Sequence, residues 1–290
     1  MDPHSHQSAA DTDESAANEA AMVELLDLDA EVLHEYLSEV ITWVHESGNH
    51  RRPSPRRILD LGSGTGSGTF ALLERFPAAD VAAFDVSGPG LRRLRQRAQE
   101  LGVGDRIRTI QADLDVAWPH IEPVDLVWAS ASLHHMADPD QVLGKVFGAT
   151  RKGGLVCVLE MDSFPRFLPD DIGIGTPGLE ARAHAVLAEM RAQDFPHMGS
   201  DWAPRLQKAG FTVEAERPFV IDLKPPLPEA AARYAQASLR RMRQGLDGKL
   251  SAEDLATLDT LLDGDGPEGV LRRDDLTVRT TRAVWMGRRP

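Results

Sequence analysis

The chain has 290 residues, with 45 acidic and 32 basic side chains and a formal net charge of −13. Twelve of the carboxylates, and no Lys or Arg, fall within residues 1–50; the rest of the chain is close to neutral, with 33 acidic and 32 basic residues. That balance argues against a general nucleic-acid binder, which needs a net basic face, and the lack of an 18-residue apolar run argues against a membrane-spanning helix.

Residues 1–20 are small, polar and acidic and read as a largely disordered tail, with His4 and His6 incidental to it. From Ala21 to about Glu46, Val23, Leu26, Leu33, Leu37, Val40, Ile41 and Val44 recur at helical spacing, so 21–50 is expected to be a helical cap. A polar linker with two prolines, Gly48 to Pro55, separates it from the body. The body alternates between apolar runs and helical patterns. Strands are expected at Arg57–Leu61, Asp80–Asp85, Arg106–Ile110, Val124–Ser130 and Gly154–Glu160. Helices are expected through about Arg75, over 88–101 and near 139–151. Later come a helix ending near Lys208–Gly210, a strand from Phe211 to about Ile221, and a last strand Thr277–Met286. Strands separated by helices pair in parallel through right-handed crossovers, so the fold class is α/β, a doubly wound, mostly parallel seven-stranded sheet. The stretches 161–203 and 224–275 exceed a minimal sheet, have helical patterns and are placed to cover the strand ends as lids; Ser251 to Asp254 opens a helix with a capping box. The single cysteine, Cys157, lies in an apolar run and reads as a small buried residue in a cytoplasmic protein without a secretory leader.

The strongest chemical signal is the run Ile58-Leu-Asp-Leu-Gly-Ser-Gly-Thr-Gly-Ser-Gly68. A strand ends in Asp60, and glycines follow at 62, 64, 66 and 68, where they permit a tight turn and close approach of a ligand. An NAD(P)-dependent oxidoreductase is the first rival. Its G-x-G-x-x-G pattern, started at Gly62, meets Ser67 instead of the third glycine, and the variant Gly66-x-Gly68-x-x-Ala71 begins five residues past Leu61. Asp60 is also poorly placed beside a pyrophosphate and better suits a ligand ammonium.

With Asp60, Gly62, Gly64 and Gly66 in place, the chain resembles the class I S-adenosylmethionine-dependent methyltransferases of the small-molecule type. The resemblance covers about residues 56–160 and implies S-adenosyl-L-methionine as cofactor, S-adenosyl-L-homocysteine as product, and no metal. It implies that the loop, with Ser63, holds the methionine end. Asp85 and Val86 would take the ribose and its surroundings, and Asp113 and Leu114 the adenine. Ser130 would lie beside the cofactor at the end of the fourth strand, which runs into Ala129-Ser-Ala-Ser-Leu-His-His-Met-Ala-Asp138.

His134 and His135 are the catalytic candidates, since a histidine at this edge can take a proton from the acceptor or merely orient it. Substrate contacts are expected from Tyr36 and Trp43 in the cap, from His135, and from Met161, Phe164, His197 and Trp202, in an insertion that also carries Phe167, Phe195 and Met198. The Arg92, Arg93, Arg95 and Arg97 cluster reads as a solvated helix face. The expected partner is a small apolar or aromatic acceptor, O-, N- or C-methylated by direct in-line displacement. Nucleic acid and membrane are not expected, and a homodimer stays open. A nucleic-acid methyltransferase is the second rival. It is disfavoured by the near-neutral body and by the absence of an Asn/Asp-Pro-Pro-Tyr/Phe motif or a cysteine pair.

Overall fold

The computed structural model describes residues 4–48, 54–161, 163–264 and 266–290, so much of the expected 48–55 linker lies outside the described residues. Seven strands form one sheet: β1 (Arg57–Leu61), β2 (Asp80–Asp85), β3 (Ile107–Gln111), β4 (Val124–Ser130), β5 (Thr150–Met161), β6 (Thr212–Leu223) and β7 (Val278–Arg288). Their spatial order is β3-β2-β1-β4-β5-β7-β6; β7 runs antiparallel to both neighbours and the other pairings are parallel. The chain moves outward from β1 to β3 and then returns to place β4 on the other side of β1. That reversal opens a crevice at the carboxyl ends of β1 and β4, where doubly wound sheets bind ligands.

Helices cover both faces because the central strands are buried on both sides. On one face, α2 (His34–Gly48), α3 (Ser67–Arg75) and α4 (Gly88–Glu100) pack down. Val40, Ile41 and Val44 of α2 join Leu72, Trp128, Cys157 and Leu159 in a shared core. On the other, α5 (Pro139–Ala149) and α7 (Ala203–Ala209) bring Val142, Val146 and Leu206 onto Leu59, Val127 and Val158. Cys157 is buried as expected, and burial pushes its thiol pKa well up.

A third layer lies outside the sheet. It comprises α1 (His4–Val32), α6 (Leu179–Asp194), α8 (Ala231–Gly245) and α9 (Ala252–Leu262). These helices have a core of their own, in which Leu28 and Val32 meet Phe167, Leu179, Tyr234, Leu239 and Leu258. Ser251 caps α9 by accepting from the Asp254 backbone N–H at 3.1 Å, as the capping box predicts.

Two boundaries and one helix face depart from expectation. α1 starts at His4, so residues 4–20 are helical where a disordered tail is expected; the alanine pairs at 9–10, 16–17 and 20–21 are strong helix formers, and 15–21 stay exposed. β5 begins at Thr150, four residues early, where the β-branched side chain ends α5. The third departure concerns the Arg-rich helix: Arg93 donates to Asp27 of α1 at 2.7 Å and Arg97 lies 3.6 Å from the same carboxylate, so this face docks α1 as well as meeting solvent. Among the described residues no helix is long and apolar enough to cross a membrane.

Candidate active site

The glycine loop leaves β1 with positive φ at Gly62 (+66°) and Gly64 (+53°). A Cβ on Gly62 would lie 2.3 Å from the Ser132 Cβ, so the loops after β1 and β4 touch with no room for a side chain. The Gly64 N–H donates to Asp85 Oδ2 and the Ser87 N–H to Oδ1, both at 2.7 Å. Asp85 therefore ties the loop to the end of β2, and each of its oxygens keeps a further lone pair for a ligand hydroxyl. The Ser63 and Thr65 hydroxyls, also on this loop, are buried without a hydrogen-bond partner. Buried polar groups are normally paired, so two idle hydroxyls on one glycine loop fit a polar ligand that the loop is built to hold.

Beneath the loop, Asp60 is 2% exposed and accepts from Thr69 Oγ1 at 2.6 Å. Burial pushes its pKa up to about 7; the Thr69 bond opposes the shift and the Asp85 charge adds to it. A carboxyl raised in this way gains from a nearby cation. Beside Asp85, Val86 is 65% exposed at the rim and offers an apolar face. Asp113 is exposed, and its Oδ1 accepts from the Asp115 N–H at 3.0 Å in an Asx turn. Leu114 is buried with Leu61 and Phe84, so it backs the cleft from the core. Asp115, which the sequence does not flag, accepts from the Ala137 N–H at 2.9 Å and thereby joins the β3 and β4 loops. Ser130 is half-buried at the end of β4, paired with Leu159.

The chain turns sharply after β4, with Ala131 at φ +49°, an uncommon value for a residue with a Cβ. A 3-10 turn, Leu133–His135, follows. His134 is 3% exposed, and its Nδ1 lies 2.5 Å from Glu160 Oε2. Glu160 is itself buried at the end of β5, and its Oε1 accepts from the Leu133 N–H at 2.9 Å and the Ser132 N–H at 3.2 Å. The Ser132 hydroxyl donates to the Leu61 carbonyl at 2.8 Å. One buried carboxylate thus holds both the turn and the histidine ring. With Nδ1–H donated to Glu160, the lone pair of His134 is on Nε2. Glu160 is absent from the sequence-based candidates, although it carries the same mark as Asp60 and Asp85: an acid at the carboxyl end of an apolar strand. The His135 ring is 4.1 Å from that of His134 and 5.1 Å from Phe195. Partial burial, then His134 and Arg241, push its pKa down to about 4, so it is neutral at pH 7.

Residues 58–154 match the family model described as a methyltransferase domain. Residues 58–154 form a class I S-adenosylmethionine-dependent methyltransferase domain. The chain is 33% identical to the demethylmenaquinone methyltransferase of Thermus thermophilus over 114 residues, 39% of this chain and 50% of that protein. It is 29% identical to a trans-aconitate 2-methyltransferase of Mycolicibacterium gilvum over 241 residues, 80% of this chain and 86% of that one. The chain thus spans half the length of the first relative and most of the second. The YcgJ protein from Bacillus subtilis shares the fold, with a TM-score of 0.52 at 16% identity over 89% of this chain and 99% of that one.

Around the methyltransferase domain, the expected substrate contacts divide. Met161 ends β5 beside Arg282 of β7. Tyr36 of α2 packs edge-on to Phe219 with ring centres 5.7 Å apart, and its buried hydroxyl has no partner. Trp43 also lies edge-on to Phe219, at 5.9 Å, and belongs to the core between α2 and the sheet. Trp202 is wholly buried in the core of the opposite face, so it cannot meet a substrate; its large apolar surface is consumed in packing α7 onto the sheet. His197 Nδ1 is 3.2 Å from Arg205, which pairs with Asp140 at 2.5 Å, so His197 braces α7 against α5. Phe164 is half-buried in the segment after β5. α1 passes directly over the glycine loop: a Cβ on Gly64 would come 3.2 Å from Leu26 Cδ1.

Proposed function

We propose that this protein transfers a methyl group from S-adenosylmethionine to a small-molecule acceptor lying between the ends of β4 and β5 and the helical cover. The observation that carries this reading is the glycine loop, tied to Asp85 and carrying the idle hydroxyls of Ser63 and Thr65. The bound cofactor supplies an activated sulfonium methyl; on transfer the C–S electron pair stays on sulfur, leaving S-adenosylhomocysteine.

The chain's own residues bind, orient and take a proton. Asp85 accepts the ribose hydroxyls on the lone pairs that Gly64 and Ser87 leave free. Val86 lies against the base, and the second oxygen of Asp113 accepts from the exocyclic amine. Asp60 provides the negative field for the amino group. His134, its Nδ1–H fixed by Glu160, offers Nε2 to the acceptor proton, while neutral His135 with Phe195 and Met161 walls an apolar body. The names of the two relatives, one for demethylmenaquinone and one for trans-aconitate, support a small-molecule acceptor.

A thermal shift with S-adenosylhomocysteine and none with NAD is expected, followed by methyl transfer to one member of a panel of small acceptors read by mass spectrometry. Stabilisation by NAD alone would overturn the reading.

A further inference from the structure

Arg282 of β7 is a charged group that the proposed chemistry leaves unused. It is 6% exposed, and arginine does not shed its charge in a protein. Its Nη2 donates to Asp29 Oδ1 at 2.6 Å, and the same oxygen accepts from the Tyr234 hydroxyl at 2.6 Å. Arg282 Nε is buried without a partner, and so is the hydroxyl of Tyr36, whose ring centre is 5.6 Å from the guanidinium carbon. One oxygen thus takes two donors while two neighbouring buried groups have none. A guanidinium fork is shaped to engage a carboxylate with two parallel bonds, and a desolvated one left under-satisfied calls for an explanation.

Asp29 belongs to α1, and its side chain is 27% exposed, so this carboxylate enters from the cover and not from the sheet. Arg282 pairs with Met161 at the end of β5, hence at the ligand edge of the sheet. It stands three strand positions from β1, roughly 14 Å at normal strand spacing. The amino-acid end of the cofactor sits at β1, so that distance favours a different molecule.

Resting on the methyltransferase reading above, we propose that Arg282, Tyr234 and Tyr36 form the binding site for a carboxylate of the methyl acceptor, occupied by Asp29 in the closed cover until the acceptor displaces it. The acceptor is then an organic acid with an apolar body.

The test uses full-length protein saturated with S-adenosylhomocysteine and matched acid and amide probes: benzoate against benzamide, succinate against succinamide. The acids are expected to raise the melting temperature more than the amides. Asp29→Asn removes the internal competitor and is expected to tighten acid binding about tenfold. Arg282→Gln is expected to abolish the acid preference, with cofactor-product affinity within about twofold of wild type in both variants. Acids and amides acting alike on wild type and Asp29→Asn would overturn the proposal, and that arm decides alone if Arg282→Gln does not fold. An Arg282→Gln variant that loses cofactor-product affinity but keeps the acid preference would overturn it too, by assigning Arg282 to the cofactor's own carboxylate. Wild type that ignores S-adenosylhomocysteine altogether would instead sink the methyltransferase reading.

Discussion

In the sheet, the polar groups at the cleft stand at strand ends: Asp60 on β1, Asp85 on β2 and Glu160 on β5. Each is fixed by backbone or near-neighbour bonds within the βα framework. In the helical cover, the corresponding group is assembled from afar: Asp29 meets Tyr234 and Arg282, 205 and 253 residues along the chain. Both regions have apolar cores of their own. On the proposed reading, the sheet positions cofactor and chemistry through local geometry, while the cover would specify the acceptor through tertiary contacts made by the closed layer.

If that division holds, variants in the two regions fail in different ways. The largest effect is expected at the strand ends. His134→Ala should lower kcat roughly 100- to 1,000-fold, the scale of a lost general base, with cofactor-product affinity unchanged; a rise in KM alone would make the ring an orienting group. Asp85→Ala should weaken S-adenosylhomocysteine binding at least about tenfold, or 1.4 kcal/mol, by calorimetry; an unchanged affinity would sink the ribose assignment.

The raised pKa of Asp60 sets a pH signature of similar size. Its carboxyl ionises near 7, so affinity for the cationic amino group is full above pH 7 and is lost as the pH falls; from pH 8 to 6 it should drop about tenfold. Asp60→Asn should flatten that profile. The stability of the free protein moves in the opposite sense: the folded state holds the proton more tightly than the unfolded chain, so stability declines from about pH 4 to about pH 7 and is level above.

In the cover, Leu28→Ala should destabilise the protein by about 2–5 kcal/mol through the cavity it leaves, yet shift cofactor-product affinity less than about threefold. A tenfold loss there would erase the division between sheet and cover. The smallest effect is expected from deleting residues 1–20: residues 15–20 are exposed, so melting temperature and activity should both hold. A fall in either would show that the start of α1 is part of the cover.

Most of the sheet and its cofactor loop are legible in the sequence because their signals are local. Strand length, continuous apolar runs and the spacing of Gly62, Gly64 and Gly66 each lie within about ten residues. Glu160 carries the same local mark, and its histidine partner is 26 positions away, which only a fold can reveal. The cover is harder. Aromatic residues in an insertion look alike whether they pack on the histidine pair, as Phe195 does on His135, or fill a core, as Trp202 does. Arg93 and Arg282 belong to different segments, and nothing in their neighbourhoods points to the acids of α1 that meet them.

Those acids give the chain a dependence on ionic strength. Glu24, Asp27 and Asp29 of α1, with Glu39 of α2, reach Arg233, Arg93, Arg282 and Arg217 on four separate elements. The two exposed pairs, Glu24–Arg233 and Glu39–Arg217, contribute about 1 kcal/mol each at most, and dissolved salt weakens them further. Once undocked, the first fifty residues hold twelve carboxylates and no Lys or Arg, so they repel one another and have no cationic partner within the segment. Counter-ions relieve that repulsion and compete for the arginines. Concentrated electrolyte should therefore shift the cover toward its open form, and turnover should respond to salt far more than cofactor binding does.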